Sequence, residues 1–466
     1  SELELLYGAN SHDTGTNGAE VQFLQPREMP GGRILTVMRP FTADVLGGDL
    51  VEIEVANYLE NSQPTAPNAG VLSGPAQASA VINDVRTDGS ISPGGTFGAA
   101  FPLLDGTDRL FVSWSQCRLL ENNQVVPCTP SRLADPNAVP APPVYGIWMY
   151  DLVENTQLPI VPAEQGAVYS EIIAAQPRSA PPIILDLDAA GLADPVLVAD
   201  NAGVINIRSV YDVDGVDTAV PDIPSMANPT VLPPDQSPAM FLRITKAVGI
   251  PDEDVLDFDN SAFGRANVMR EILGYVPIQP DGSVVARVPA NLPLQISILD
   301  RRGHRIGPRH NNWLQLRPGQ TLTCNGCHDP DSGVSHGRGN AFDSAYAGSQ
   351  NPTGPFPGAN PAYFTELGET MAETRARISC ALDCADVIPS VDLNFVDVWT
   401  DPAVPANVAA PFSYRYLDLD PALSSPVSED CETEWAWERN ALCRAVINYE
   451  DVIQPLWDLP RLAADG

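Results

Sequence analysis

Residues Cys324-Asn325-Gly326-Cys327-His328 constrain this chain more than any other stretch. Two cysteines separated by two residues and followed at once by histidine form the attachment pattern of a c-type haem. Cys324 and Cys327 would add as thioethers to the two vinyl groups of one porphyrin. The turn through Asn325 and Gly326 lets both sulfurs reach the same edge. His328 then falls under the iron and can supply an imidazole. The protein's remaining control over the iron lies in the second axial ligand, burial and hydrogen bonding. A zinc knuckle would need a second Cys/His pair close by. No cysteine lies between Cys128 and Cys324, or between Cys327 and Cys380. A redox dithiol would want a βαβ context, whereas the upstream sequence alternates like antiparallel strands.

The 466 residues suffice for two to four domains with real cores, and a 44% hydrophobic content excludes a disordered chain. No run of eighteen apolar residues reads as a membrane-spanning helix. The first residues are polar with no basic and apolar leader, so the expectation is that any signal peptide or lipid anchor has already been removed. Twenty-six basic residues face fifty-nine acids, for a net charge of −33, and Lys246 is the only lysine. Such a surface repels nucleic acid and anionic lipid. It suits a basic partner or, since the charge is spread along the whole chain, a salty medium. Of the eight cysteines, six fall into local pairs: Cys117 with Cys128, Cys380 with Cys384, and Cys431 with Cys443. Other connectivities remain open on spacing alone. Paired cysteines and covalent haem both point to an oxidising compartment, a bacterial periplasm or the cell exterior.

The expected fold is mainly β, with a few helices toward the C-terminus. Residues 1–180 read as strands and turns. Gly32-Arg33-Ile34-Leu35-Thr36-Val37 is a turn then a strand, and Asp108-Arg109-Leu110-Phe111-Val112 echoes it. Gly48 to Ile53 and Tyr145 to Leu152 form a second matching pair. This repetition predicts blades of a β-propeller, incomplete because two repeats cannot close a ring; the alternative is a β-sandwich. Residues 181–362 form a β-rich unit carrying the haem. Within it, Val204 to Tyr211 and Leu294 to Leu299 alternate, and Asp281-Gly282 announces a hairpin. A short helix is expected at Asn267 to Ile272. Residues 323–362 are rich in Gly, Asn, Pro and Ser, and read as loop in need of the haem as a core. Residues 363–466 read as helix and loop. One helix is expected over 366–383, with Leu367, Met371, Arg375 and Ile378 on one face. Another is expected over 432–458, its aromatics packed in a core.

The order of elements around the motif resembles the hydrazine synthase alpha subunit family. The likeness is carried by Ile272-Leu273-Gly274-Tyr275-Val276-Pro277, Asp281-Gly282-Ser283, Val288-Pro289-Ala290, Leu299-Asp300, Trp313 to Gln320, and then the motif. It covers most of 180–340. It implies a propeller before this region, haem c in it, other haem subunits as partners, and redox chemistry on a small nitrogen compound. Ile447 to Trp457 resembles the lead-in to a second haem domain, so the intact product is expected to extend past both ends and to form a multi-haem assembly. In that family a tyrosine four residues after the motif histidine holds the haem and the histidine goes to zinc. The matching residue here is Ser332, which is no iron ligand, so the unusual ligation does not carry over and His328 is left for the iron.

The expected function is therefore electron transfer through a haem c at Cys324, Cys327 and His328, exchanging electrons with a redox partner protein. The alternative is a haem oxidoreductase acting on a small nitrogen compound at an open iron. A third reading makes the propeller a docking module. The candidates for the second axial ligand are His310, His336, Met371 and Tyr346. His310 is preferred, because a turn held by two strands aims a ligand better than the Gly-rich loop around His336. Three weaker signals remain. Gly333-Val334-Ser335-His336-Gly337 matches a nucleophile elbow but lacks the strand before it and the helix after it. Asp212 to Asp217 and Asp329-Pro330-Asp331 cluster oxygens that could hold calcium, without the distal Glu of a full loop. His12 and His304 read as surface histidines.

Overall fold

The structure is a computed structural model. It describes residues 5–8, 13–43, 46–177, 191, 193–248, 270–308, 310, 312–329, 331–351, 354–380, 386–415 and 449–458. The chain is mainly β, with short helices, and divides into two units. One contains residues 4–183 and 330–342. The other contains 184–329 and 343–466, with residues 1–3.

The first unit holds two four-stranded antiparallel meanders. One runs through β1 (Val21–Glu28), β2 (Ile34–Pro40), β3 (Asp49–Ile53) and β4 (Gln77–Ser79). The other runs through β5 (Thr96–Pro102), β6 (Arg109–Ser115), β7 (Gly146–Asp151) and β8 (Thr156–Val161). Turn chemistry sets the starts. Gly31 and Gly32 take positive φ before β2, and Asp108 does so before β6, a conformation reached cheaply only by glycine, Asn and Asp. Alternate residues Leu35, Val37, Leu110 and Val112 then point inward to one core shared with Leu50, Phe97 and Tyr150. Each meander is four strands in sequence order or nearly so, but no closed ring forms among the described residues. A disulfide joins Cys117 to Cys128. Cys384, Cys431 and Cys443, needed for the other two expected pairings, lie outside the described residues, as does His12.

In the second unit, β9 (Ala202–Ile207) lies between β12 (Val284–Pro289), antiparallel to it, and β14 (Thr321–Cys324), parallel to it. A second sheet orders β11 (Arg270–Pro277), β10 (Phe241–Ala247) and β13 (Leu294–Leu299). The two share a core of Ile205, Ile207, Leu242, Ile244, Val276, Val284, Ala286, Val288 and Leu294. Every residue of β12 is buried. Val284, Ala286 and Val288 face this core, while Val285 turns to a second cluster with Ala372, Ala376 and Val387. A strand covered on both faces reads as a continuous apolar run.

Several expectations are corrected here. Arg270 to Ile272 is strand, not the end of a helix; the rest of that segment lies outside the described residues. The helix expected over 366–383 begins only at Met371, as Met371–Arg375 followed by a π-helical turn, Ala376–Cys380. Gly368 at φ +84° breaks the approach. Thr370 then caps the helix with a full capping box to Glu373. Leu367 and Ile378 are consequently exposed. Of the helix over 432–458, the structure describes Tyr449–Ile453 and Gln454–Asp458, and Tyr449 and Trp457 are exposed rather than core.

Candidate haem site

The motif is fixed by a turn far away in sequence. β14 ends at Cys324, opposite Ile207 at the end of β9. Both chains then leave their strands together, bonded residue by residue. The Arg208 N–H donates to the Cys324 carbonyl at 2.9 Å, and the Ser209 N–H to the Asn325 carbonyl at 3.2 Å. The Cys327 N–H donates to the Asp212 carbonyl at 2.7 Å, and the Asp214 N–H to the Cys327 carbonyl at 3.1 Å. The Asp329 N–H reaches the Asp214 carboxylate at 3.0 Å. Gly326 lies so close to this turn that a Cβ would run into the Asp212 carbonyl oxygen and sit 2.7 Å from the Ser209 carbonyl oxygen. The segment expected to be loose without haem is thus tied down by its own backbone. Arg208 also binds the Tyr346 and Gly368 carbonyls, each at 3.1 Å.

Cys324 and Cys327 are reduced thiols, half-buried and packed on the edge of the main core. Burial pushes the Cys327 thiol up to about 11, helped by Cys324, Asp212 and Asp214. The thiolate is the form that binds metals and attacks disulfides.

His328 is half-buried next to this turn. The ring centre of His310 lies 6.3 Å from that of His328, with the planes at 71°. Desolvation lowers the His310 pKa, and a hydrogen bond with the Asn312 backbone opposes this. Lowering favours neutral imidazole, the metal-binding form. Its Nδ1 is shut off from solvent with no hydrogen-bond partner among the described residues. The chain after His310 is anchored where Leu314 pairs with Leu294 through two backbone bonds of 2.7 and 2.8 Å. The residues present therefore fit a haem c: two adjacent thiols on a fixed turn, a following histidine, and a second, half-buried imidazole facing it.

Other candidates are placed differently. Tyr346 is buried and its hydroxyl donates to Asp281 at 3.0 Å. Met371 is fully buried in a cluster with Trp399 and Phe356. Both side chains are committed to the core. His336 belongs to the first unit, its Nδ1 3.4 Å from the Val334 carbonyl. Ser335 is buried, its N–H bound to Gln63 at 2.8 Å, in a stretch without strand or helix, so no nucleophile elbow exists there. The calcium expectation gains no support. Asp212 accepts from Gly215, Ser344 and Ala345, and Asp217 from Ala219 and Ile223. These oxygens cap turns, and no group of three metal-ligating side chains forms among the described residues. His304 is a surface residue beside Asp300. Sequence reasoning missed Asp212 and Ser209 as the supports of the motif; the glycine inside the motif was the one signal of a close neighbour.

Residues 244–329, ending one residue beyond His328, match the family described as the hydrazine synthase alpha subunit middle domain. Over that segment the chain is hydrazine synthase alpha-like. Hydrazine synthase subunit alpha of Kuenenia stuttgartiensis is 33% identical over 88 residues, 19% of this chain and 10% of that protein. A solved Kuenenia stuttgartiensis hydrazine synthase aligns with a TM-score of 0.37 at 16% identity, covering 70% of this chain and 38% of that one. The chain thus spans well under half the length of the relatives it matches.

Proposed function

We propose that this chain is the haem-bearing part of a hydrazine synthase-like oxidoreductase. A haem c would be attached through Cys324 and Cys327 with His328 as axial ligand, and the substrate class is small nitrogen compounds. The observation that carries this reading is the family match over 244–329, which closes on the motif. The haem supplies a one-electron redox centre. The chain's own part is to hold the thiols and imidazole on the strap between Arg208 and Asp214, and to limit access to the iron. The two N-terminal meanders would be propeller blades, and other haem subunits would be partners. The Cys117–Cys128 disulfide supports a compartment outside the cytoplasm. A second reading, electron transfer alone, is favoured by His310 facing His328.

The test is anaerobic mixing of the haem-loaded chain with hydroxylamine, hydrazine or nitric oxide. The oxidoreductase reading expects a saturable shift or reduction of the haem spectrum. A spectrum inert to all three, in a protein that still exchanges electrons with a small cytochrome, would leave electron transfer as the function.

A further inference from the structure

We infer that His310 is the second axial ligand of this haem, so that the resting iron carries imidazole on both faces and a small molecule reaches it only when His310 leaves. The inference rests on the haem reading above and adds the coordination of the iron to it.

Three observations carry it. The first is spacing. Two imidazoles that bind one metal from opposite faces, each through a bond of about 2 Å, have ring centres roughly 6 Å apart. Those of His310 and His328 are 6.3 Å apart. The 71° between the planes is no obstacle, because each ring stands upright on a macrocycle and turns freely about its own metal bond. The second is the Nδ1 of His310, buried with no hydrogen-bond partner among the described residues. Edge-to-face packing of two rings would leave such an atom unsatisfied; a ligand role gives the half-buried ring a use. The third is support. The Leu314–Leu294 pairing and the Asn291 N–H bond to the Leu316 carbonyl, 2.8 Å, hold the segment that carries His310. The rival donors Tyr346 and Met371 are committed to the core.

The experiment uses the full chain, loaded with haem in a host that attaches c-type haem. Wild type should give a six-coordinate, low-spin optical spectrum and a bis-imidazole paramagnetic resonance signal. His310→Ala should turn high-spin, and carbon monoxide should bind its reduced form roughly tenfold faster or more. Free imidazole should restore the low-spin spectrum. His304→Ala, whose side chain is 74% exposed, should behave as wild type. A wild type that is high-spin, or a His310→Ala variant that stays low-spin with no gain in carbon monoxide rate, overturns the assignment. If His310→Ala does not fold, the wild-type resonance signal decides alone. Haem staining of denatured protein separates the two claims: stained bands with unchanged spin state remove only His310, whereas unstained wild type removes the haem reading and this one together.

Discussion

Gly326 shows how much of the site rests on single atoms. The space its side chain would take is filled by the Asp212 and Ser209 carbonyls. Gly326→Ala must push the motif away from the strap, and overpacking of this kind costs about 1–3 kcal/mol. The expected result is a lower thermal midpoint and a reduced haem yield per mole of protein; equal yield and midpoint would refute the close approach. Asp49 carries a different prediction. Burial raises its pKa to about 7, against weaker help from Ser79 and the Leu50 backbone. The unfolded carboxyl ionises near 3.9, so between roughly pH 4 and pH 7 the folded state binds more protons and stability falls as pH rises. The slope approaches about 1.4 kcal/mol per pH unit for one such group. Urea unfolding from pH 4.5 to 7.5 should therefore show a steeper decline in wild type than in Asp49→Asn; parallel curves would contradict it. At this scale spacing singles out Cys324, Cys327 and His328, and the strands expected on either side single out His310. The supports were not. Ser209 and Asp212 lie more than a hundred residues before Cys324 and act through backbone carbonyls, which no residue type announces.

Among elements, the legible ones began with turn chemistry. Strand β2 follows two glycines of positive φ, β6 follows Asp108, and β12 follows the Asp281-Gly282 turn. The same Asp281 does something its sequence context hides. Fully buried, it accepts from the Met371 N–H at 2.8 Å and from Tyr346 and Ser283. The expected hairpin does not form, because β11 and β12 lie in different sheets; the turn between them instead holds a helix start ninety residues on. The helix over 366–383 was misjudged because apolar spacing says where a face would lie, not where a helix can begin. Gly368 and the Thr370 capping box decide that. Thr370→Ala should cost about 1 kcal/mol. Since Thr370 is fully buried, Thr370→Ser, which keeps the hydroxyl, should recover most of it in a thermal melt. Equal losses in both variants would assign the effect to the missing methyl rather than to the cap.

For the whole molecule, charge is the dominant bulk property. A net −33 on 466 residues makes the folded state repel itself. Exposed charges are screened over about 10 Å at 0.1 M salt, so the thermal midpoint should climb as sodium chloride is raised from low to physiological strength; a flat response would show that the acids are locally compensated. The two units differ in how far sequence reaches them. The meanders of the first follow from local turns, whereas the second is stitched by β9, which pairs with β12 well beyond any local turn and with β14 across more than a hundred residues. The hydrazine synthase-like segment falls in that stitched unit and ends on the motif. Covalent haem at that point is the claim on which the functional account stands. The measurement that tests it most directly is peptide mass spectrometry of the chain produced with c-type haem maturation. The peptide containing Cys324 and Cys327 should carry the mass of one haem that survives denaturation and acid–acetone extraction. The same peptide recovered with two unmodified thiols, or with the pair oxidised to a disulfide, would contradict the account.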